Sequence, residues 1–153
     1  FKYESVKLFD LVEESFELVS TSSQQKKLSL ENLVEEDLYI WADRNTIKTV
    51  LRNLISNAVK YTPAGGFVRV YNHYRNGQVE VFVEDNGVGI SPENLEKLFR
   101  IDTNYSTKGT EEEAGTGLGL ILCKEFVEKN GGELRVDSVL EAGSSFSFTV
   151  NRA

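Results

Sequence analysis

The chain has 153 residues, of which 40% are hydrophobic and 27% charged, a composition typical of one compact globular domain. Its net charge of −7 argues against nucleic acid as the main partner, because such binding depends on neutralising phosphates. The single cysteine, Cys123, excludes an internal disulfide and is expected to fill the core, and no apolar run is long enough to span a membrane. The chain begins at Phe1 and contains no methionine, so we expect a fragment of a longer protein.

The first part of the chain predicts a helix, two short strands and a second helix. Apolar residues at helical spacing indicate an amphipathic helix over 6–20, and residues 28–41 contain two short strand candidates. Asp43 is a suitable N-cap for a helix over about 44–61, which a Pro-Ala-Gly-Gly stretch then ends.

This second helix has three different sides. Its predicted core face consists of Ile47, Val50, Leu51, Leu54, Ile55 and Ala58. The opposite side consists of Lys48, Arg52, Ser56 and Val59. One flank between them holds Asn53, Asn57 and Lys60, with Tyr61 at its border with the core. The flank is either a solvated polar surface or a ligand site, since amide oxygens can ligate a hard cation and a lysine can meet a phosphate.

The remaining elements are two hairpins with helices between them. Strands over 67–74 and 78–85 flank an Asn-Gly turn, which is a strong hairpin signal. Pro92 opens a short helix to about Phe99, and residues 100–116 show no periodicity, which predicts a mobile loop. A helix begins near Thr116 or Gly117 and ends at Asn-Gly-Gly, before a closing hairpin that turns at Glu-Ala-Gly. This order predicts an α+β fold, a two-layer sandwich whose mixed, mostly antiparallel sheet of about five strands carries about three helices on one face.

The strand over 78–85 directs a carboxylate toward the core. Asp85 is in phase with Val79, Val81 and Val83, which strand alternation places on the buried face. Because a buried carboxylate without a partner is destabilising, Asp85 is expected to bind a hydrogen-bond donor.

Two glycine-rich stretches accompany this carboxylate. DNGVGI (85–90) follows the strand, and GTGLGL (115–120) opens a helix, where backbone N–H groups favour anions. Neither stretch matches a P-loop or the dinucleotide fingerprint.

Four motifs in chain order resemble the ATP-binding domain shared by gyrase-type ATPases, chaperone ATPases, MutL and sensor histidine kinases, and most closely that of bacterial sensor histidine kinases. The motifs are NLISNAVKYT (an N box), DNGVGI (a G1 box), LEKLF (an F box) and GTGLGL (a G2 box). FDLVEESFELV and the final hairpin are also similar to family features. The resemblance implies a Bergerat-type fold in one catalytic domain over 1–153, with an ATP lid over about 91–114.

At the adenine end of a bound ATP, the resemblance implies that Asp85 accepts a hydrogen bond from the exocyclic amino group. Gly87 and Gly89 would leave room for the base, and Tyr61 would lie against it. The implied apolar walls are Ile90, Leu118 and Leu120.

At the phosphate end, the resemblance implies that Asn57 is the Mg²⁺ ligand, that Asn53 lies beside it and that Lys60 reaches phosphate oxygens. Lys108 is the candidate contact to the γ-phosphate, with Arg100 as its rival. Backbone N–H groups for the phosphates would come from the stretch that holds Gly115, Thr116, Gly117 and Gly119.

The implied reaction is phosphoryl transfer, with Asn53, Asn57 and Lys108 as the catalytic residues. Hydrolytic relatives such as gyrase place a glutamate base where this chain has Asn53, and an amide cannot take a proton. The only histidine, His73, is predicted to be a surface strand residue without the sequence context of a phosphoacceptor. The chain is therefore expected to bind MgATP and to donate the γ-phosphoryl group to a histidine elsewhere.

The resemblance also implies partners. They are the helical dimerisation and phosphoacceptor domain of the same parent protein, which would form a homodimer, and the receiver domain of a response regulator. No nucleic acid and no direct membrane contact are expected for this cytoplasmic domain, whose parent would be anchored in the membrane. The alternatives are an anti-sigma-type serine kinase, a hydrolytic ATPase, which Asn53 disfavours, and a nucleotide-sensing module without catalysis.

Overall fold

Residues 1–94 and 119–153 are described by the computed structural model, and they form a mixed sheet with helices on one face. Its strands are β1 (Tyr3–Lys7), β2 (Ser29–Asn32), β3 (Tyr39–Asp43), β4 (Phe67–Arg75), β5 (Gln78–Asp85), β6 (Leu134–Val139) and β7 (Gly143–Arg152). Its helices are α1 (Leu8–Leu18), α2 (Ser20–Gln25), α3 (Arg44–Tyr61) and α4 (Gly119–Lys129). The predicted α+β two-layer architecture is confirmed. None of the helices in the two described ranges is long and apolar enough to cross a bilayer.

The strand order of the sheet is β1-β3-β7-β5-β4-β2, and β6 also pairs with β7. All pairs are antiparallel except β2 with β4, which is parallel. The register places Asp85 beside Val68 of β4 and Ser144 of β7, and Ser144 in turn beside Ser138 of β6. The end of β5 therefore meets the β6–β7 hairpin at one edge of the molecule.

Helix α3 lies across the helix-facing side of the sheet and packs between α1 and α4. Its start is fixed by Asp43, whose side chain accepts a hydrogen bond from the Thr46 amide at 2.9 Å, as expected of an N-cap. Every residue of the predicted core face of α3 is buried, with at most 5% of its surface exposed. This burial fixes which way the polar flank of the helix points.

Three sequence predictions need correction. The described residues form a sheet of seven strands rather than about five, and β1 includes residues 6 and 7, which the sequence pattern predicts to start a helix over 6–20. β1 is an edge strand with Val6 as its buried residue, so its alternation is too short to compete with the helical pattern that follows. Val59, predicted to lie opposite the core, is only 2% exposed, and the side chain of Lys26 contacts its carbonyl oxygen.

The region between β5 and α4 is partly described. A helical turn over 92–94 begins at Pro92, as predicted. The continuation of that helix, the loop predicted over 100–116 and the first residues predicted for the last helix lie outside the described residues.

Candidate functional site

Asp85 ends β5 on the helix-facing side of the sheet and is only 6% exposed, as the alternation of the strand predicts. Its Oδ1 atom accepts hydrogen bonds from the amides of Gly87 at 2.8 Å and Ser144 at 3.3 Å. Within the described ranges both bonds go to this one oxygen, so Oδ2 can accept a donor from a ligand. Desolvation raises the pKa of Asp85 to about 6, although the two amides act in the opposite direction.

The loop that follows Asp85 is held against the end of α3. The Val88 amide donates to the carbonyl of Tyr61 at 3.1 Å. Gly87 is buried, and a Cβ atom there would overlap the same carbonyl oxygen. This position therefore requires glycine for a close approach of two backbones.

The same loop is held on its other side by the β6–β7 hairpin. Gly89 adopts a φ of +72°, and a Cβ atom there would overlap the carbonyl oxygen of Val139. The Glu141 amide donates to Val88 O at 2.6 Å, and the Ile90 amide donates to Ser138 Oγ at 2.8 Å. Residues 86–90 are thus fixed between two elements that are distant in sequence.

Ser138 and Ser144 are site residues that the sequence reasoning missed. Their hydroxyl oxygens are 2.8 Å apart, and the Ser144 amide bonds to Asp85. A signal for them exists in the sequence. Like Asp85, they are polar residues in phase with the apolar face of a strand, since they continue the alternation of Val136 and Phe146.

The polar flank of α3 lies next to the start of α4. Asn53, Asn57 and Lys60 are all half-buried, as residues at the border of a core are. A Cβ atom on Gly119 would lie 3.6 Å from the Asn53 amide carbon, so the two helices approach closely here. Burial raises the pKa of the Cys123 thiol to about 12, and a hydrogen bond with Asn53 acts in the opposite direction. The cysteine is therefore a packed and unreactive residue, as expected.

Tyr61 connects this flank to the loop after Asp85. Lys60 places its ammonium nitrogen 5.0 Å from the centre of the Tyr61 ring, and the Tyr61 carbonyl accepts a hydrogen bond from the Val88 amide of the loop. Asn53 and Tyr61 are separated by eight residues of helix, roughly 12 Å along its axis. The structure thus brings together a buried acceptor at one end of α3 and an amide flank leading away from it.

The other predicted site residues fall into two groups. Ile90 is half-buried and packs against the core, while Leu120 of α4 is buried within it at 5% exposure. Outside the described residues lie Arg100, Lys108, Gly115, Thr116, Gly117, Leu118 and most of the predicted ATP lid.

A metal ion at this flank would have to be held with help from a ligand. Among the described residues no group of three His, Cys, Asp or Glu side chains is close enough to bind a metal. Magnesium typically keeps several waters and uses substrate phosphates together with few protein oxygens. The half-buried amide of Asn57 fits a metal carried by a phosphorylated ligand, and the flank does not fit a metal held by protein alone.

A second feature is a cavity of about 300 Å³ at the edge where the end of β5 meets the β6–β7 hairpin. Its lining includes Glu84, Asp137 and Ser145, which register places side by side on the face away from the helices. None of the polar residues of the α3 flank lines it. Asp85 and Ser144 also line it, so the cavity adjoins the Asp85 end of the candidate site.

A buried carboxylate, a close-packed glycine loop and an amide flank agree with the comparison to known families. The family model described as "Histidine kinase-, DNA gyrase B-, and HSP90-like ATPase" matches residues 42–153. The chain belongs to this family.

Relatives that resemble the chain include proteins named as histidine kinases and sensory kinases. Histidine protein kinase DivJ of Caulobacter vibrioides is 46% identical over 112 residues, which cover 72% of the chain and 18% of DivJ. The adaptive-response sensory kinase SasA of a Synechocystis species is 37% identical over 143 residues, which cover 92% of the chain and 37% of SasA. The chain thus spans well under half the length of either relative.

Solved structures of histidine kinases share the fold over almost the whole chain. The nucleotide-free catalytic domain of histidine kinase ThkA has a TM-score of 0.84 at 28% identity, covering 99% of this chain and 97% of that one. Full-length ShkA in complex with AMPPNP has a TM-score of 0.81 at 26% identity, covering 100% of this chain and 32% of ShkA. ThkA in complex with the response regulator TrrA has a TM-score of 0.78 at 26% identity, covering 99% of this chain and 42% of ThkA.

Proposed function

We propose that residues 1–153 form the ATP-binding catalytic domain of a sensor histidine kinase, which donates the γ-phosphoryl group of ATP to a histidine on a separate domain. The observation that carries the proposal is Asn53. Its half-buried amide packs against the start of α4, at the position where hydrolytic relatives are expected to carry a glutamate. An amide cannot accept a proton from water, so the site favours donation to another nucleophile over hydrolysis.

The acceptor histidine must come from outside this chain. His73 is the only histidine, and it is exposed on β4, where its ring contacts Tyr71 and Phe82. These side chains lie on the face of the sheet away from the helices, whereas Asp85 lies on the other face. His73 pairs with Glu80 and Asp85 with Val68, so the two are also about five residues, roughly 17 Å, apart along the strands.

The proposed mechanism assigns each group one task. Asp85 accepts a hydrogen bond from the adenine amino group through Oδ2, because Oδ1 already accepts hydrogen bonds from two backbone amides. Tyr61 and Ile90 flank the base, and Lys60 meets phosphate oxygens. Asn57 would supply an oxygen ligand to Mg²⁺, which when bound neutralises phosphate charge. The residues of this chain hold and orient the nucleotide, and positioning is the main contribution of proteins to phosphoryl transfer.

The proposed partners follow from the known relatives. The catalytic domain of ThkA shares this fold, and its kinase forms a complex with the response regulator TrrA. We assign this chain a helical dimerisation and phosphoacceptor domain in its own parent, which would be a homodimer, and a response regulator as the next acceptor. The domain would work in the cytoplasm beneath a membrane-anchored sensor.

The test is phosphoryl transfer from ATP radiolabelled at the γ-phosphate, with and without the dimerisation domain of the parent. The lone chain is expected to incorporate no stable label and to hydrolyse ATP slowly, because His73 lies far from the site and Asn53 cannot act as a base. With the partner domain, the label should be acid-labile and base-stable, as a phosphohistidine is. Lys108→Ala should slow this transfer more than it weakens ADP binding, since ADP lacks the γ-phosphate.

The same assay separates the alternatives. Acid-stable label on serine would favour an anti-sigma-type kinase. Rapid turnover by the lone chain would mean a hydrolytic ATPase with an unrecognised base, and ATP binding with no transfer to either acceptor would mean a nucleotide-sensing module. Each of these results contradicts the histidine kinase proposal.

A further inference from the structure

The last turn of α3 enters the candidate site, and its carbonyl groups find donors outside the helix backbone. The last four carbonyls of any α-helix lack partners within it. Here each of the four receives a hydrogen bond: Ala58 O from Thr62 Oγ1 (2.6 Å), Val59 O and Lys60 O from Lys26 Nζ (2.9 and 3.1 Å), and Tyr61 O from the Val88 amide (3.1 Å). Lys26 therefore donates hydrogen bonds to two of the last four carbonyl groups of this helix.

Lys26 is a buried cation that the proposed mechanism does not use. It follows α2 directly and is only 3% exposed, although lysine is almost never fully buried without partners. Its ammonium group lies at the C-terminal end of α3, where the helix dipole favours a positive charge. The backbone of Lys26 is also tied to this region, because its carbonyl accepts a hydrogen bond from the Gly65 amide at 2.9 Å.

The turn that Lys26 holds is the one that positions the nucleotide groups. It carries Lys60 and Tyr61, and the Tyr61 carbonyl binds Val88 and leaves no space beside Gly87. A shift of this turn would therefore move the loop after Asp85, since the loop and the turn are in backbone contact. The chain of contacts runs from Lys26 through two carbonyls to the adenine side of the site.

We infer that Lys26 is a positioning residue for nucleotide binding, which acts by fixing the last turn of α3 and through it the loop over 86–90. The inference rests on the proposed nucleotide site. It assigns no contact between Lys26 and the nucleotide. Removal of the ammonium group leaves Val59 O and Lys60 O without this donor, so that the turn must shift or admit water.

The main variant is Lys26→Met, which keeps the length and apolar stem of the side chain and removes the donors. ADP affinity should fall by about tenfold, the effect of losing a hydrogen bond to a charged group. Lys26→Arg, which restores a cation with N–H donors, should recover part of the affinity. Lys27→Met is the matched control, because Lys27 is adjacent, exposed and already in a left-handed conformation with a φ of 55°.

Two further measurements distinguish the positioning role of Lys26 from a purely structural role. Val6→Ala removes core volume in β1, far from this turn, and should lower stability while leaving ADP affinity unchanged. In the nucleotide-free domain, Lys26→Met should speed hydrogen exchange of the Val88 amide and leave that of the Val81 amide, in the middle of β5, unchanged. Equal changes at both amides would mean general loosening and would overturn the inference.

The outcomes distinguish this inference from the proposed function. If the unmodified chain does not bind ADP, the nucleotide site itself is wrong. If it binds ADP and the folded Lys26→Met variant binds equally well, Lys26 has no positioning role. If Lys26→Met fails to fold, the positioning role is tested in the unmodified protein. Saturation with ADP should shift the ammonium signal of Lys26 in NMR spectra and slow hydrogen exchange of the Val88 amide. An unchanged Lys26 signal would refute the role.

Discussion

Replacing Asp85 by asparagine should make the nucleotide-free domain more stable and its nucleotide binding weaker. Burial raises the pKa of Asp85 from 3.8 to about 6, so the folded state disfavours the ionised form. At about 1.36 kcal/mol per pH unit, the ionised carboxylate destabilises the fold by about 3 kcal/mol at neutral pH. Asp85→Asn keeps an acceptor for the two backbone amides and removes the charge, so most of this energy should be regained.

The sign of the pH dependence is fixed by the direction of the shift. Because the folded state binds the proton more tightly than the unfolded state, this group lowers stability as pH rises from about 4 to about 6, and its effect is constant above that range. The difference between Asp85→Asn and the unmodified chain should therefore be small near pH 4 and largest above about pH 6. For a domain of this size, about 3 kcal/mol corresponds to a rise in melting temperature of roughly 6–12 °C.

Nucleotide affinity should change in the opposite direction. Gly87 and Ser144 both donate to Oδ1, so the asparagine must place its carbonyl oxygen there and its NH₂ group where Oδ2 was. The NH₂ group of the asparagine and the adenine amino group of the proposed complex are then two donors that face each other. ADP affinity should therefore fall by about tenfold to a hundredfold. Protonation of Asp85 has a similar effect, so affinity in the unmodified chain should fall as pH drops through about 6.

The assays are thermal unfolding across this pH range without nucleotide, and calorimetric titration with ADP. Asp43→Asn is the control, because the backbone amide of Lys2 and then that of Thr46 lower the pKa of Asp43. Its carboxylate stabilises the fold above the ordinary carboxyl pKa, and that contribution is lost as pH falls through its lowered pKa, so Asp43→Asn should destabilise at neutral pH. An Asp85→Asn domain that is less stable than the unmodified chain at neutral pH, or that binds ADP equally well, would refute the reasoning.

Two further substitutions test the site. Asn57→Ala should weaken ATP binding in the presence of magnesium far more than it weakens adenosine binding without the metal, because it removes one oxygen ligand; equal losses in calorimetry under both conditions would make Asn57 a structural residue. Gly87→Ala should abolish measurable ADP binding and lower the free energy of unfolding by about 2 kcal/mol or more in urea titration, since the new Cβ atom overlaps the Tyr61 carbonyl oxygen. A Gly87→Ala domain with unchanged stability and affinity would mean that the loop can move away from α3.

Local signals in the sequence were sufficient for the elements with clear boundaries. α3 runs from Arg44 to Tyr61, as predicted, because Asp43 caps its start and a Pro-Gly stretch follows its end. The β4–β5 hairpin turns at Asn76 and Gly77, whose φ values of 51° and 81° are those that an Asn-Gly turn requires. The burial of Asp85 followed from alternation alone.

The contacts that complete the site depend on pairings that no local pattern contains. Ser144 reaches Asp85 across 59 positions of sequence, through the register of β5 with β7. Val59 is buried at the end of α3, where its carbonyl accepts a hydrogen bond from Lys26, 33 positions earlier. In both cases the partner cannot be identified from the residue's own segment, and only the assembled sheet or helix end gives the residue its contact.

The position of β7 has a consequence for synthesis of the protein. The last strand in the chain lies in the interior of the sheet, between β3 and β5, and its first residues hold Asp85. Until this strand leaves the ribosome, β1 and β3 have no link through the sheet to β5, β4 and β2, and both groups expose unpaired strand edges. We therefore expect that a nascent chain completes the proposed nucleotide site only when translation of the domain is nearly finished, and that a premature stop before residue 143 yields a product that quality-control proteases remove.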